Sequence, residues 1–74
     1  MKLTNVEFLI DGNGHVMLGR IGPVHCAAVA SDGARSLAML VKDADESLDE
    51  LLVRLDAAIE DALERDIFVD EING

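Results

Sequence analysis

The stretch VHCAAVASDGARSLAMLVKD, residues 24–43, sets two small-residue apolar runs on either side of Ser31-Asp32-Gly33-Ala34. Asp-Gly between short alternating runs is a strong local signal for a β-hairpin. A two-residue Asp32-Gly33 loop pairs Ala28 with Leu37, Cys26 with Met39 and Val24 with Val41 on one face. The other face then holds His25 with Leu40, Ala27 with Ala38 and Val29 with Ser36. Adjacent residues of a strand point to opposite faces, so His25 and Cys26 do not form a nucleophile and base pair. Cys26 reads as a small core residue. His25 belongs to the second, less apolar face.

Working toward the N-terminus, Asp11-Gly12-Asn13-Gly14 is rich in residues that tolerate positive φ. Taken as a second hairpin turn, it joins strands over about 4–10 and 15–21, with Ile10 facing Met17, Phe8 facing Gly19, Val6 facing Ile21 and Glu7 facing Arg20. Pro23 cannot donate to a ladder, so Ile21-Gly22-Pro23-Val24 marks a turn or sharp bend. Strands over about 24–30 and 35–42 complete the sheet.

Toward the C-terminus the period changes from two to helical. Ser47-Leu48-Asp49-Glu50 is a capping-box pattern, and acids crowd the turn after it. Leu48, Leu51, Leu52, Leu55, Ala58, Ile59, Ala62 and Leu63 fall in one arc of about 140°. Glu50 with Arg54 and Asp61 with Arg65 are spaced as i,i+4 pairs. The expected fold class is therefore α+β: an antiparallel meander of three to four strands, then one long amphipathic helix over about 47–66 packed on one sheet face. Residues 67–74 form an extended tail, whose Ile67-Phe68-Val69 can add an edge strand, dock in the core or exchange with a second copy. The whole chain, 1–74, reads as a single small domain.

Composition narrows the function classes. Of 15 acids, only Glu7, Asp11 and Asp32 precede residue 43, where Lys2, Arg20, Arg35 and Lys42 balance them; the remaining acids face only Arg54 and Arg65. A net charge of −9 repels phosphate backbones and anionic lipid, so neither direct nucleic-acid binding nor membrane binding is expected. Mimicry of DNA toward a basic partner is a minor alternative. The single cysteine precludes an intrachain disulfide and suits a reducing cytoplasm. His15, His25 and Cys26 are too few and wrongly spaced for a structural zinc site, and no motif calls for a cofactor. No catalytic residue is assigned; an enzyme would need a cleft between chains with His25 or His15 as base.

The strand hairpin followed by DADESLDELLVRLDAAIEDALE, with a GPVHC corner before it, resembles the small strand-strand-strand-helix domain of HicB-type antitoxins. The glycine-aromatic strand start of that family is replaced here by Gly14-His15-Val16. The resemblance implies a module that neutralises a toxin partner. The leading expectation from the residues themselves is a small cytosolic accessory protein acting as a homodimer or on a protein partner. Its candidate interface is the second sheet face, with His25, Ala27, Val29, Ala38 and Leu40. The helix covers only one face, which leaves that row of small apolar groups open.

Overall fold

The computed structural model describes residues 1–73. Its elements run α1 (Thr4–Asp11), β1 (His15–Ile21), β2 (Val24–Ser31), β3 (Ser36–Val41), α2 (Leu48–Arg65) and β4 (Val69–Asp70). The class is α+β, with a four-stranded sheet in the order β1-β2-β3-β4. The first three strands form an antiparallel meander, but β4 returns through α2 to lie parallel to β3, so the sheet is mixed.

The first element corrects the sequence reading, which placed a strand at 4–10. The alternation of Val6, Phe8 and Ile10 suggests a strand, while Val6 and Leu9 are three apart, and the helix buries that second set. Val6 and Leu9 are buried; Phe8 is 67% exposed and Ile10 51%. Leu3, the residue before the helix, has no side chain to cap it. The cap comes instead from α2: Asp56 Oδ1 accepts the backbone N–H groups of Asn5 and Val6 at 2.8 and 2.9 Å. Asn5 Nδ2 donates to Asp56 Oδ2 and to Glu60 Oε1. The Asp11–Gly14 turn is real but joins helix to strand, and Asn13 has φ 71° there. A Cβ on Gly14 would lie 2.6 Å from the Leu9 side chain and 2.7 Å from the Ser31 carbonyl oxygen, so only glycine lets α1 close onto the sheet.

Gly22-Pro23 is a two-residue hairpin loop between the paired Ile21 and Val24. Gly22 takes φ 58°, and Pro23 cannot take the positive φ that a type I′ turn needs at its second position, which leaves type II′. The register slips between Gly19 and Ile21: Arg20 alone stands opposite both His25 and Cys26, so the extra residue of the bulge is on β2.

The Asp32-Gly33 hairpin exists with a longer loop than expected. Asp32 N–H donates to the Arg35 carbonyl, and Asp32 Oδ1 accepts from the N–H groups of Ala34 and Arg35, closing residues 32–35. Ser31 then faces Ser36, but Ala30 faces Ala38, so Leu37 is a bulge residue. Together these move the register by three: Ala28 faces Leu40 where the shorter loop would give Leu37. An odd slip exchanges the faces of one strand relative to its neighbour.

The second helix agrees with its local signals. Ser47 and Glu50 form both bonds of the capping box, at 3.1 and 2.7 Å. Because Glu50 is held by the Ser47 N–H, it does not pair with Arg54 as the i,i+4 spacing suggests. Arg54 instead reaches Glu46 through Nε and Nη2, Glu71 through Nη1 and the Val41 carbonyl through Nη2. One guanidinium thus ties the loop before α2, the end of β3 and the tail together. Asp61 and Arg65 do pair, at 2.9 Å.

Both helices lie on one side of the sheet. The core joins Val6 and Leu9 of α1 to Ala28, Ala30, Leu37, Ala38 and Leu40 of the strands and to Leu51, Leu55, Ala58, Ile59 and Ala62 of α2. The ends of the helical arc, Leu48 and Leu63, remain 49% and 39% exposed.

Candidate functional site

The opposite face of the sheet has no helix on it. Its membership follows from the register: Met17, Val29 and Met39 form one row across β1, β2 and β3, and Gly19, Ala27 and Val41 form another. Met17 is 53% exposed, Val29, Met39 and Val41 are half-buried, and Ala27 is enclosed among its larger neighbours. His15 belongs to this face by alternation; His25 stands at the other end of the sheet in the β2 bulge, where alternation breaks, and both are exposed. They sit about 20 Å apart, six residues of β2 at about 3.3 Å each, so they cannot serve one proton-transfer site.

The five residues proposed from sequence for this face divide between the two sides. Ala27 and Val29 lie on the open face, whereas His25 stands in the β2 bulge beside Arg20, which alternates with Val16 and Leu18 of the helix side. Ala38 and Leu40 lie on the covered face, fully buried under α2. The register slip of three is the cause: it turns Ala38 and Leu40 inward and brings Met39 and Val41 out in their place. Cys26 packs against the core from the helix side, alternating with Ala27 of the open face, though its neighbour on β3 is Lys42 and not Met39; Lys42 N–H donates to the Cys26 carbonyl at 3.0 Å.

Charge on the sheet is sparse and placed at its edges. Arg20 is the one Lys or Arg within the strands, and Asp70 the one acid. At the β2 bulge, where Arg20 stands opposite His25 and Cys26, the Arg20 guanidinium meets His25, with Nη2 at 3.2 Å from Nδ1. A guanidinium has only donors, so His25 Nδ1 is the acceptor and the ring proton sits on Nε2. Arg35, Arg54 and Arg65 each pair with carboxylates, whereas among the described residues Arg20 has no acid within ion-pairing reach. Asp70 stands beside Met39 and so on the open face, because its neighbour Val69 packs against the core. Its carboxylate accepts from the N–H groups of Ile72 and Asn73 and from Asn73 Nδ2, interactions that hold it below the usual carboxylate range, the Asn73 backbone bond contributing most.

Shallow depressions elsewhere are lined by Met1, Val53 and Ala57 beside Lys2, Asp49, Glu50 and Arg54, and by Phe8 and Leu63 beside Asn5 and Glu64. Among the described residues no three His, Cys, Asp or Glu side chains converge as a metal site, and no helix is long and apolar enough to cross a membrane.

The strand-strand-strand-helix order implied by the antitoxin resemblance is present as β1-β2-β3-α2, with α1 before it and β4 after it. No protein-family model, curated protein or solved structure matches the chain.

Proposed function

We propose that the protein is a small non-enzymatic interaction protein of the cytoplasm that acts as a homodimer, two copies meeting through the open faces of their sheets. The observation that carries this reading is the row Met17–Val29–Met39 with Ala27 and Val41 beside it. An antiparallel sheet with one face in water alternates apolar and polar residues. Here the central rows of both faces are apolar, with the polar row His15–Ser31–Ser36 at one end of the open face, and both helices are already used on the other face.

The placement of charge favours a second copy as the occupant. The acids after residue 42 lie on α2, the loop before it and the tail, while the strands hold one acid. Two chains of net charge −9 repel unless their acidic layers stay apart. Face-to-face sheets put those layers on the outside. A chain this short, without a disulfide, also commonly gains stability by association.

Sedimentation equilibrium of the wild type and of Met39→Asp tests the reading. The wild type is expected to be dimeric at micromolar concentration, and Met39→Asp monomeric with its helix content kept. A wild type that stays monomeric at high micromolar concentration overturns it. Ala38→Asp is unsuitable for this purpose, because Ala38 is in the core and a charge there unfolds the chain.

A further inference from the structure

The two edges of the sheet differ in kind. β4 is 2 residues long, carries Asp70 and is followed by Glu71, so that edge is short and acidic. β1 is 7 residues long with one arginine, no acid and no proline, and among the described residues no strand lies beyond it. A long apolar edge is normally blunted by charge, proline or shortness, and β1 has only Arg20 near its end.

The ladder locates the unused main-chain groups of that edge. Lys42 N–H donates to the Cys26 carbonyl, so Cys26, Ala28 and Ala30 turn their N–H and C=O groups toward β3, and Ala27, Val29 and Ser31 turn theirs toward β1. Their partners Gly19, Met17 and His15 are therefore bonded to β2, which leaves the N–H and C=O groups of Val16 and Leu18 pointing out of the sheet. Leu18, the middle residue of β1, is 45% exposed although it pairs with the buried Ala28.

We infer that β1 pairs antiparallel with β1 of a second copy about a two-fold axis at Leu18, which joins two four-stranded sheets edge to edge. The strand is self-complementary in that register. Leu18 meets its counterpart, Val16 stands beside Arg20 of the other copy, and Met17 stands opposite Gly19. A Cβ on Gly19 would meet nothing within 4 Å, so there is open space for the Met17 side chain of the other copy. Charge favours a second copy as the occupant, because β1 holds no acid and the acidic β4 edges end up farthest apart. This contact uses a different surface from the face-to-face one, and neither depends on the other. Its hydrogen bonds replace bonds to water, so it is the weaker of the two and joins dimers into groups of four at higher concentration.

The test is amide hydrogen exchange read residue by residue at two protein concentrations, about 50 μM and about 1 mM. Val16 and Leu18 are expected to exchange about fivefold or more slowly at the higher one, with Met17, already bonded to β2, as the reference. Leu18→Lys sets two like charges on the axis and is expected to abolish the slowing, while sedimentation at micromolar concentration still shows the face-to-face dimer. Met39→Asp is expected to lose that dimer and keep the slowing. Val16 and Leu18 amides that exchange equally fast at both concentrations overturn the edge pairing and leave the face-to-face reading standing, and so does slowing that survives in Leu18→Lys. Slowing in the wild type with sedimentation unchanged by Met39→Asp overturns the face-to-face reading alone.

Discussion

The Asp56 carboxylate of α2 lies 2.9 Å from the backbone nitrogen of Val6, in the first turn of α1. The first helix of the chain is therefore capped by the second, 50 residues on in sequence. A helix of eight residues is too short to persist on propensity alone, and Leu3 offers it no cap. The two helices form as a unit or α1 does not form.

Asp56→Ala removes the acceptor for two backbone N–H groups. The expected loss is about 1–2 kcal/mol, the upper part of the range for an N-cap, with hydrogen-exchange protection lost first in residues 6–9. Urea unfolding and amide exchange check it. Equal loss of protection in α1 and α2 would show that the bond does not act on α1 in particular.

Leu55 is fully buried at the centre of the apolar arc of α2. Leu55→Ala should cost about 2–5 kcal/mol, the range for emptying a packed site. Ala57 is exposed on the outer side of the same helix, so Ala57→Lys should leave the urea midpoint nearly unchanged. Similar destabilisation by both changes would mean that α2 is covered on both sides.

The ion cluster on Arg54 sets an acid limit. Glu46 is held at about 2, from an ordinary value of 4.5, first by the hydrogen bonds from Arg54 and then by the backbone N–H of Asp43. A carboxyl depressed in the folded state stabilises it fully above the unfolded value, and that stabilisation is lost as pH falls through the folded one. Asp32 and Asp70 are lowered in the same direction, each chiefly by backbone N–H bonds, from Ala34 and Asn73 respectively. Stability should therefore be level above about pH 5 and fall between about 4.5 and 2. In Glu46→Gln the fall should be shallower, and urea midpoints measured against pH decide it. An unchanged slope would show that Glu46 contributes nothing to acid sensitivity.

What the sequence made legible were the features that local chemistry decides. The capping box at Ser47 and Glu50 and the arc through Leu51, Leu55 and Ile59 place α2 to within a residue of its observed ends. Gly22-Pro23 and Asp32-Gly33 do mark the two hairpin turns. What was not legible depends on partners distant in sequence. Residues 4–10 satisfy both a strand and a helix pattern, and the choice is made by Asp56 and by the packing of Leu9. The register of β3 depends on a four-residue loop and on the bulge at Leu37, neither of which alternation reveals. That slip alone took the sequence reading of the interface to Ala38 and Leu40 when the β3 residues on the open face are the half-buried Met39 and Val41. For Ile67-Phe68-Val69 the residues leave an edge strand, core docking and exchange open; only Val69, with Asp70, enters a strand, and β4 is held by Glu71, whose N–H donates to the Met39 carbonyl and whose carboxylate accepts from the Val41 N–H.

The contact between sheets can be read most directly from isotope-filtered nuclear Overhauser effects in a sample mixing labelled and unlabelled copies, since signals between copies arise only across the interface. The account predicts intermolecular contacts among the methyl groups of Met17, Val29, Met39 and Val41, and none from Leu51, Leu55 or Ile59 of the core. A dimer whose intermolecular contacts come instead from Phe8, Leu63 or Val53 on the helix side, with the open-face methyls silent, would contradict it.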